Sequence, residues 1–485
     1  MLISYPARRW RYWLGVSFAV FFLIVFSVWG VKTVRSQTTF QGNEGAEPPS
    51  TSAISASERT DSLLDRSLAK LSQAPSLLSS ADEVAPASNA SQKPLNAQQF
   101  MTVKPYLGQA EAELIEVYRL IGAGQHRQAL TQAERLVNRH PNFQLAQLVL
   151  GDLFTLQTRP VKTLGDVPNT QSDIASSQLN ILRDESRRRI RALVERPPEG
   201  FIPSQFLALS GQSRHAIAID ASRSRLYLFE NVSPQTQPTA GLHSPRLRLI
   251  SDFYISVGLS GIEKSIEGDK RTPLGVYYIT SNLNPSNLPD LYGVGALPIN
   301  YPNPLDSLRG KTGGGIWLHG TPREQFVRAP QASDGCVVLS NPDLERLIRT
   351  VQVRTTPVVI ASELTWVDPA VPLLERQTFE AQLERWRTTK AKAELANLRT
   401  FYSENFRSQG RDLSQWWPRL ETEVRQQGVR DIELKDISIL QWQDSDETMV
   451  VTFGEIVKGQ SRGSTRRQYW MKEPDGWKII FEGAP

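Results

Sequence analysis

Two residues of this sequence have the types and the setting of a thiol nucleophile and its base. Cys336, the only cysteine among 485 residues, follows Ser333-Asp334-Gly335 and precedes two valines, and His319 closes the upstream apolar stretch Ile316-Trp317-Leu318. A thiol with a pKa near ~8.5 is mostly protonated at neutral pH, so an adjacent imidazole that takes its proton makes it far more nucleophilic. The pattern predicts Cys336 as a nucleophile and His319 as its general base.

Glycine stands beside both residues, at Gly320 and at Gly335. A glycine next to the nucleophile lets a substrate approach the backbone closely, and the amide groups of Asp334, Gly335 and Cys336 are placed to hold the oxyanion of a tetrahedral intermediate. The competing interpretation is structural, because a lone cysteine between glycine and valines is commonly a small buried hydrophobic residue.

The composition predicts no metal, no cofactor and no nucleic-acid partner. No group of histidine, cysteine and acidic residues has the spacing of a metal site, and no glycine-rich loop opens a helix in the manner of a nucleotide site. The 55 basic and 50 acidic residues give a net charge of +5, which is too balanced to predict nucleic-acid binding by itself. A thiol and an imidazole need no cofactor for acyl transfer.

Two separated motifs resemble the signature of the YkuD-type L,D-transpeptidases. One is His319-Gly320 followed, after a loop, by Ser333-Asp334-Gly335-Cys336. The other is the upstream run 267–275, Glu-Gly-Asp-Lys-Arg-Thr-Pro-Leu-Gly. The motifs stand in the order that the family has, and the resemblance spans residues 213–362, called the β-rich domain below.

The resemblance implies a mostly-β catalytic fold that acts on the peptide stems of bacterial peptidoglycan. Cys336 would attack the carbonyl of the bond between an L-centre and D-Ala in a tetrapeptide stem, D-Ala would leave, and an amine would resolve the thioester. The resemblance gives the other roles by position: general base for His319, substrate-lining loop for Gly320, the turn that presents the thiol and the oxyanion hole for Ser333 and Gly335. Tyr301 is expected either to line the peptide groove or to pack structurally.

Two positions depart from the family's commonest pattern. Asp334 stands where a second histidine usually precedes Gly-Cys, and Val338 stands where an arginine usually follows two residues after the cysteine. Three outcomes therefore stay open: a transferase that forms cross-links, a hydrolase that resolves the same thioester with water, and a catalytically silent wall-binding scaffold. Asn341, further along this run, is expected to cap the helix from Pro342 onward.

The elements that must carry this site begin with a predicted membrane anchor. Residues 12–31 form an uncharged, mostly apolar stretch of about the length that a helix needs to cross a ~30 Å hydrocarbon core. Arginines in the tail of residues 1–11 favour a cytoplasmic N-terminus, and hence a single-pass protein of the inner membrane with its catalytic domain in the periplasm. A cleavable signal peptide is the alternative. Residues 32–104, rich in Ser, Ala, Gln, Pro and Thr, predict a disordered linker.

Helical periodicity marks the next segment, residues 105–200, called the helical segment below. Three apolar faces recur at helical spacing: Leu114, Val117, Tyr118 and Ile121; Ala129, Ala133 and Leu136; Phe143, Ala146, Leu150 and Leu153. The pattern around His126 resembles a tetratricopeptide unit, which favours a small spacer or a docking module for a protein partner. A further helix with an arginine-rich stretch around Arg189 is expected to end at Pro197 and to present a solvated face.

Strand patterns fill the β-rich domain. Alternation over 215–220 and 225–230, around a turn-prone tetrapeptide, predicts a β-hairpin. Further strands are predicted at 247–257, 275–280, 315–319, 335–339 and 357–361.

Residues 377–485, the C-terminal domain, begin with a long amphipathic helix that the pattern continues to Tyr402. Four strands are predicted after it, at 432–440, 448–457, 466–471 and 477–481. This order resembles the cone-shaped nuclear-transport-factor-2/SnoaL-like fold. Its six tryptophans are expected mainly in the core, with a ligand cavity as the alternative. The predicted fold class is therefore a multidomain chain with helical, mostly-β catalytic and α+β cone-shaped parts.

Overall fold

The computed structural model describes residues 105–166, 173–232, 246–370, 374–460 and 462–485. The predicted tail (1–11), anchor (12–31) and linker (32–104) lie outside these residues and stay predictions. Among the described residues, no helix is both long enough and apolar enough to cross a bilayer.

The helical segment contains the helices that its periodicity predicted. Their bounds are Gln109–Gly122 (α1), His126–Arg139 (α2), Gln144–Thr155 (α3) and Asp173–Val194 (α4). The three apolar faces close on one another, with Leu114, Leu136 and Phe143 fully buried between them. The prediction of helices here is confirmed.

The arginine-rich stretch of α4 is only in part the solvated face that we expected, because Arg191 is 63% exposed but Arg189 is buried. Arg189 is 2% exposed and pairs with Glu185 at 2.8 Å and with Glu111 of α1 at 3.1 Å. Its guanidinium also lies 3.7 Å from the ring centre of Tyr254 in the β-rich domain. Glu111 bridges further to the buried Arg225 at 2.6 Å. These contacts bury the arginine because another domain docks on this face of α4.

The strands of the β-rich domain and its flanks are short. Their bounds are Ile202–Pro203 (β1), Phe206–Ala208 (β2), His215–Asp220 (β3), Arg225–Asn231 (β4), Leu247–Tyr254 (β5), Val257–Gly258 (β6), Gly275–Tyr278 (β7), Ala296–Pro298 (β8), Trp317–His319 (β9), Gln331–Ser333 (β10), Val337–Val338 (β11), Pro357–Ala361 (β12) and Trp366–Val367 (β13). Helix α5 (Pro304–Leu308) lies between β8 and β9, and α6 (Asn341–Thr350) follows β11. The predicted hairpin is confirmed, since β3 and β4 pair antiparallel with Asp220 opposite Arg225.

Two sheets sandwich the core on which the chemistry rests. The larger has the order β5-β4-β3-β12-β7, and the smaller has the order β11-β9-β8. Side chains such as Ile217 and Leu228 from the larger sheet, Leu318 and Val337 from the smaller one and Leu344 from α6 form one buried cluster. Burial of these apolar faces fixes the small sheet, which carries both His319 and the approach to Cys336.

The C-terminal domain is a helix-covered antiparallel sheet. Its bounds are Leu374–Ala391 (α7), Leu395–Arg399 (α8), Arg407–Ser408 (β14), Arg411–Asp412 (β15), Leu413–Gln427 (α9), Ile432–Gln443 (β16), Glu447–Val457 (β17), Ser464–Glu473 (β18) and Gly476–Gly483 (β19). The expected single helix to Tyr402 is wrong: it breaks after Ala391, and Ala393 adopts a φ of 56°. Helix α9 was not foreseen. All six tryptophans belong to the cores or pack on them.

The C-terminal sheet packs on the outer face of the larger sheet of the β-rich domain. Strand β2, which precedes the β-rich domain in sequence, adds to the edge of the C-terminal sheet beside β16. Phe229 from one sheet and Tyr469 from the other share a buried cluster. At the rim, Arg309 pairs with Asp444 at 2.6 Å and with Asp446 at 2.8 Å. The two domains therefore share a hydrophobic core. The strand patterns of the sequence did not predict this contact between the domains.

Candidate active site

Neighbouring parallel strands bring Cys336 next to the strand that ends in His319. Strand β11 pairs with β9 so that Val337 lies beside Leu318 and Val338 beside His319. In this register Cys336 lies beside Trp317, two residues along from the histidine. Strand spacing and rise then put the Cα atoms of Cys336 and His319 about 8 Å apart.

The thiol of Cys336 is half-buried and contacts the main chain of the neighbouring strand. The N–H of Trp317 donates to Sγ at 3.4 Å, and the thiol donates to the carbonyl of Gly315 at the same distance. Burial raises the pKa of the thiol, and the Trp317 N–H and the charge of Arg328 offset this only in part. The resting residue is therefore a protonated thiol with a route to solvent.

His319 is buried, with 3% of its surface exposed, and its tautomer follows from one contact. Its Nδ1 lies 2.7 Å from the carbonyl oxygen of Gly320. A carbonyl only accepts, so Nδ1 carries the proton and Nε2 keeps its lone pair. The ring of Tyr292 stands edge-on at 5.0 Å between centroids. Burial, against the hydrogen bond to Gly320, lowers the pKa of His319 to about 4.

The structure describes a neutral pair rather than a thiolate–imidazolium pair. No hydrogen bond joins Sγ to the imidazole among the described residues, since the thiol proton points to Gly315. A raised thiol pKa and a lowered imidazole pKa both oppose proton transfer in the resting state. Such a pair suits general-base catalysis, in which the proton moves as Sγ attacks a bound carbonyl.

A tight turn from Ser333 to Cys336 presents the thiol. The Ser333 hydroxyl donates to the Cys336 carbonyl at 2.6 Å and accepts from the Gly335 N–H at 3.1 Å. Gly335 has a φ of 119°, and a Cβ there would lie 2.7 Å from the carbonyl oxygen of Arg271. Because the Gly335 N–H is engaged, the oxyanion role that we expected of it is not available. The amides of Asp334 and Cys336 remain candidates for that role.

The upstream run 267–275 contacts this turn and stabilises it through hydrogen bonds. The Thr272 hydroxyl donates to the Gly335 carbonyl at 2.9 Å and accepts from the Gly258 N–H at 2.8 Å. Asp269 binds the buried Lys264 at 2.8 Å. Burial alone would raise the pKa of Asp269, but Lys264 and nearby backbone N–H groups outweigh it and hold that pKa well below its usual value. The two sequence motifs thus meet at the nucleophile.

Asp334 does not occupy an enclosed position beside the thiol. Its side chain is 86% exposed and lies 3.8 Å from the ammonium of Lys270, which is itself half exposed. Its negative charge raises the pKa of Cys336, but less than burial does. The residue that replaces the family's second histidine therefore sits at the solvent-facing edge of the turn.

Tyr301 is a core residue rather than an open wall of a peptide groove. It is 6% exposed, and its hydroxyl donates to the carbonyl of Thr312 at 3.2 Å. Its ring packs at 6.1 Å from that of Tyr277. Burial raises the pKa of Tyr301 to about 12. Of the two roles that the sequence allowed, the structure supports packing, and the tyrosine holds the glycine-rich loop that leads to Gly315.

The expected helix cap at Asn341 is wrong, and Asn341 has another role. The cap of α6 is Ser340, whose side chain accepts from the Asp343 N–H. Asn341 instead accepts from the Thr321 N–H at 3.1 Å and donates to the Thr321 carbonyl at 2.9 Å. A Cβ on Gly320 would lie 2.1 Å from its Oδ1. Asn341 thus fixes the backbone at Gly320, whose carbonyl accepts the hydrogen bond from Nδ1–H of His319, and no local sequence signal indicated this.

No cluster of histidine, cysteine and acidic side chains is placed to bind a metal ion in the part of the chain that the structure describes. The groups that can do chemistry here are the thiol, the imidazole and nearby backbone amides.

Two family models match parts of the chain. Residues 214–360 match the family model of the L,D-transpeptidase catalytic domain (YkuD), and residues 378–483 match that of the Cds6 C-terminal NTF2-like domain. No curated protein matches the chain.

Two solved structures are similar to part of the chain. Bd1075 of Bdellovibrio bacteriovorus is 26% identical over 59% of this chain and 98% of its own, with a TM-score of 0.47. The helical cell shape determining protein Pgp2 of Campylobacter jejuni is 23% identical over 58% and 93%, with a TM-score of 0.44. The two family matches confirm the predicted fold class: an L,D-transpeptidase domain followed by an NTF2-like domain, with helices before them.

Proposed function

We propose that the L,D-transpeptidase domain of this chain is a cysteine peptidyltransferase that acts on tetrapeptide stems of peptidoglycan. The observation that supports the proposal is that the Cys336 thiol contacts the backbone of the strand that ends in His319. Nδ1 of the histidine is committed to Gly320 and Nε2 is left as the base. A purely structural cysteine needs neither a route to solvent nor an oriented imidazole beside it.

The chemistry follows from these atoms. The thiol proton passes to Nε2 of His319 as Sγ bonds to the carbonyl carbon that precedes D-Ala. The C–N bond then breaks, the imidazolium proton goes to the departing amine, and D-Ala leaves. An acceptor amine attacks the thioester, Nε2 takes its proton, and a new amide forms as the thiol of Cys336 is restored. Water in place of the amine gives hydrolysis by the same steps.

The polar groups around the thiol support this sequence of steps. The Trp317 N–H and the Arg328 charge both favour the thiolate over the thiol, although burial opposes them. The neutral imidazole is available down to acidic pH, because the pKa of His319 is about 4. The side chains therefore provide a base that is ready to accept a proton and a nucleophile that ionises only as it reacts.

The predicted anchor and linker give the proposal a location. A linker over residues 32–104 has a root-mean-square reach of roughly 40 to 50 Å as a flexible coil. An anchor at residues 12–31 would hold the enzyme at the inner membrane while the linker lets it work in the periplasm. The helical segment is the proposed site for a protein partner.

Mass spectrometry of the full chain with a defined muropeptide tests the proposal. Incubation with a tetrapeptide stem, with and without an added amine, should give an acyl adduct on Cys336 and free D-Ala. A carbapenem should also acylate Cys336, because its strained carbonyl mimics the scissile amide. Cys336→Ala and His319→Gln should abolish turnover, while His215→Gln, a histidine of β3 bonded to Gln352, should not.

The products show whether an amine or water resolves the thioester. An amine-linked product identifies a transferase, and D-Ala release without it identifies a hydrolase. A folded wild-type chain that forms no adduct with either reagent would refute the enzymatic proposal in favour of a wall-binding scaffold.

A further inference from the structure

Two apolar side chains of the L,D-transpeptidase domain pack into the helical segment. Phe326 and Val327 lie in residues 320–330, called the connecting segment below, which joins β9 to β10. Both side chains pack against the buried cluster of the helices. The ring of Phe326 lies 4.7 Å from that of His140 and 4.8 Å from that of Phe143. The helices therefore hold part of the chain that runs between the proposed base and the proposed nucleophile.

Two polar contacts add to this apolar one. The side-chain amide of Asn142 donates to the Arg323 carbonyl at 2.9 Å. The Tyr254 hydroxyl donates to the Arg328 carbonyl at 3.0 Å, and the ring of Tyr254 lies 3.7 Å from the guanidinium of Arg189 in α4. The helical segment thus contacts the backbone of the connecting segment directly at one carbonyl and supports it through Tyr254 at another.

The connecting segment folds back on itself next to His319. The Thr321 hydroxyl donates to the Gln325 carbonyl at 2.8 Å, and the Phe326 carbonyl lies 3.3 Å from the same hydroxyl. Thr321 is fully buried, so a hydroxyl that lost these acceptors would be left unsatisfied at a cost. The preceding residue is Gly320, whose carbonyl accepts from Nδ1–H of His319 at 2.7 Å. A continuous series of contacts therefore leads from the helices to the base.

We propose that Phe326 is a positioning residue for His319, held by the helical segment and acting through Thr321 on the Gly320 carbonyl. The proposal rests on the proposed function, because it concerns the base of that reaction. The Gly320 carbonyl fixes the tautomer and the orientation of the imidazole, so a displaced carbonyl leaves the base misaligned with the thiol proton. The helical segment is then a part of the catalytic unit and not only a spacer.

Steady-state kinetics of the full chain test the effect on the base. Phe326→Ala should lower kcat for D-Ala release from a tetrapeptide stem by about tenfold and change KM by less than about twofold, because a misaligned base slows the chemical step. The loss stays below the roughly 100-fold that a 1 Å misplacement can cost, since Asn341 still holds the Thr321 backbone. Phe326→Leu, which keeps an apolar side chain against the helices, should recover most of kcat.

A pair of substitutions at Thr321 tests the connection to Gly320. Thr321→Val removes the hydroxyl and keeps the shape of the side chain, so it should lower kcat as Phe326→Ala does. Thr321→Ser keeps the hydroxyl and should stay close to the wild-type kcat. A wild-type kcat in Thr321→Val would overturn the path through this hydroxyl.

A substitution on the helical side shows whether the helices hold Phe326. His140→Ala removes the ring that packs on Phe326 and should lower kcat by about threefold, as expected for the loss of one aromatic contact. The double variant with Phe326→Ala should be no slower than Phe326→Ala alone, because both changes break the same contact. Phe154→Ala in α3 is the matched control, since Phe154 is 48% exposed, and it should leave kcat unchanged. Effects that multiply in the double variant would contradict the proposal.

Hydrogen–deuterium exchange of the full chain reports on the connecting segment without any turnover. Several of its N–H groups are hydrogen-bonded, so exchange there is slow while the segment is held. Phe326→Ala and His140→Ala should speed exchange in the peptide that covers 320–330 and leave the peptide that covers β3 unchanged, which also verifies that the variants fold. Wild-type exchange over 320–330 in both variants would show that the helices do not hold this segment.

The two proposals fail in different ways. If the wild type forms no acyl adduct with the stem peptide or a carbapenem, the proposed function fails, and the exchange data still decide whether the helices hold the connecting segment. If the wild type forms the adduct and Phe326→Ala keeps the wild-type kcat, only the positioning role is overturned. A raised KM with an unchanged kcat also overturns it, because Phe326 would then act on substrate binding.

Discussion

Because His319 is buried, we expect the enzymatic activity to persist at acidic pH. The folded-state pKa of about 4 lies below the ordinary value near ~6.5, so the neutral base persists as pH falls and is lost only near pH 4. At pH 5.5 roughly 97% of the imidazole would be neutral, against roughly 9% for an unshifted histidine. Removing the cover over the ring should therefore cost activity in acid and spare it at pH 7.5.

Tyr292→Ala is the perturbation that exposes the ring. Tyr292 stands edge-on to His319 at 5.0 Å, and its loss admits water beside the imidazole. If the pKa returns to its ordinary value, kcat/KM at pH 5.5 should fall about tenfold relative to its value at pH 7.5. The wild-type profile should stay nearly flat over this interval. The assay is D-Ala release from a tetrapeptide stem, measured from pH 4 to pH 8.

Leu291→Ala is the matched control, because Leu291 is adjacent in sequence but 47% exposed. Its profile should coincide with that of the wild type. The reasoning is refuted if the wild type itself loses activity with a midpoint near pH 6.5, or if Tyr292→Ala lowers kcat/KM equally at every pH. The first result would show a solvated base, and the second would show that the tyrosine only binds substrate.

Three further predictions concern the groups that hold the site together. Arg225→Ala leaves buried carboxylates without their cation and should lower the free energy of unfolding by about 3 to 5 kcal/mol in denaturant titrations. The exposed Arg191→Ala should have little effect on that quantity. Gly335→Ala should abolish the acylation of Cys336, as detected by mass spectrometry, because the new Cβ meets the Arg271 carbonyl. Gly314→Ala should leave the acylation intact, because there is open space around Gly314. Asn341→Ala should lower kcat more than it raises KM in stem-peptide assays, because it frees the backbone that orients His319; an unchanged kcat would contradict that positioning role.

The local pattern of the sequence was enough to predict most elements and the central residues. Helical spacing predicted α1 to α3, and period-two alternation predicted the β3–β4 hairpin, because both depend on backbone geometry within a few residues. The two motifs marked Cys336 and His319 as the candidate pair. Each of these features is encoded by near neighbours in the chain.

The sequence pattern could not predict contacts between residues that are distant in sequence. It gave Arg189 a solvated face and Asn341 a helix cap, yet Arg189 is buried under the β-rich domain and Asn341 binds Thr321.

The physical reason is that burial and charge pairing depend on which surfaces meet. The spacing of apolar residues determines which face of a helix or strand is hydrophobic, but not which other domain covers it. The sequence by itself therefore determined the elements, the fold class and the candidate thiol and imidazole. Only the tertiary structure decided the burial that sets the pKa of His319 and the contact of the Cys336 thiol with the backbone of β9, because each arises where separate segments of the chain exclude water together.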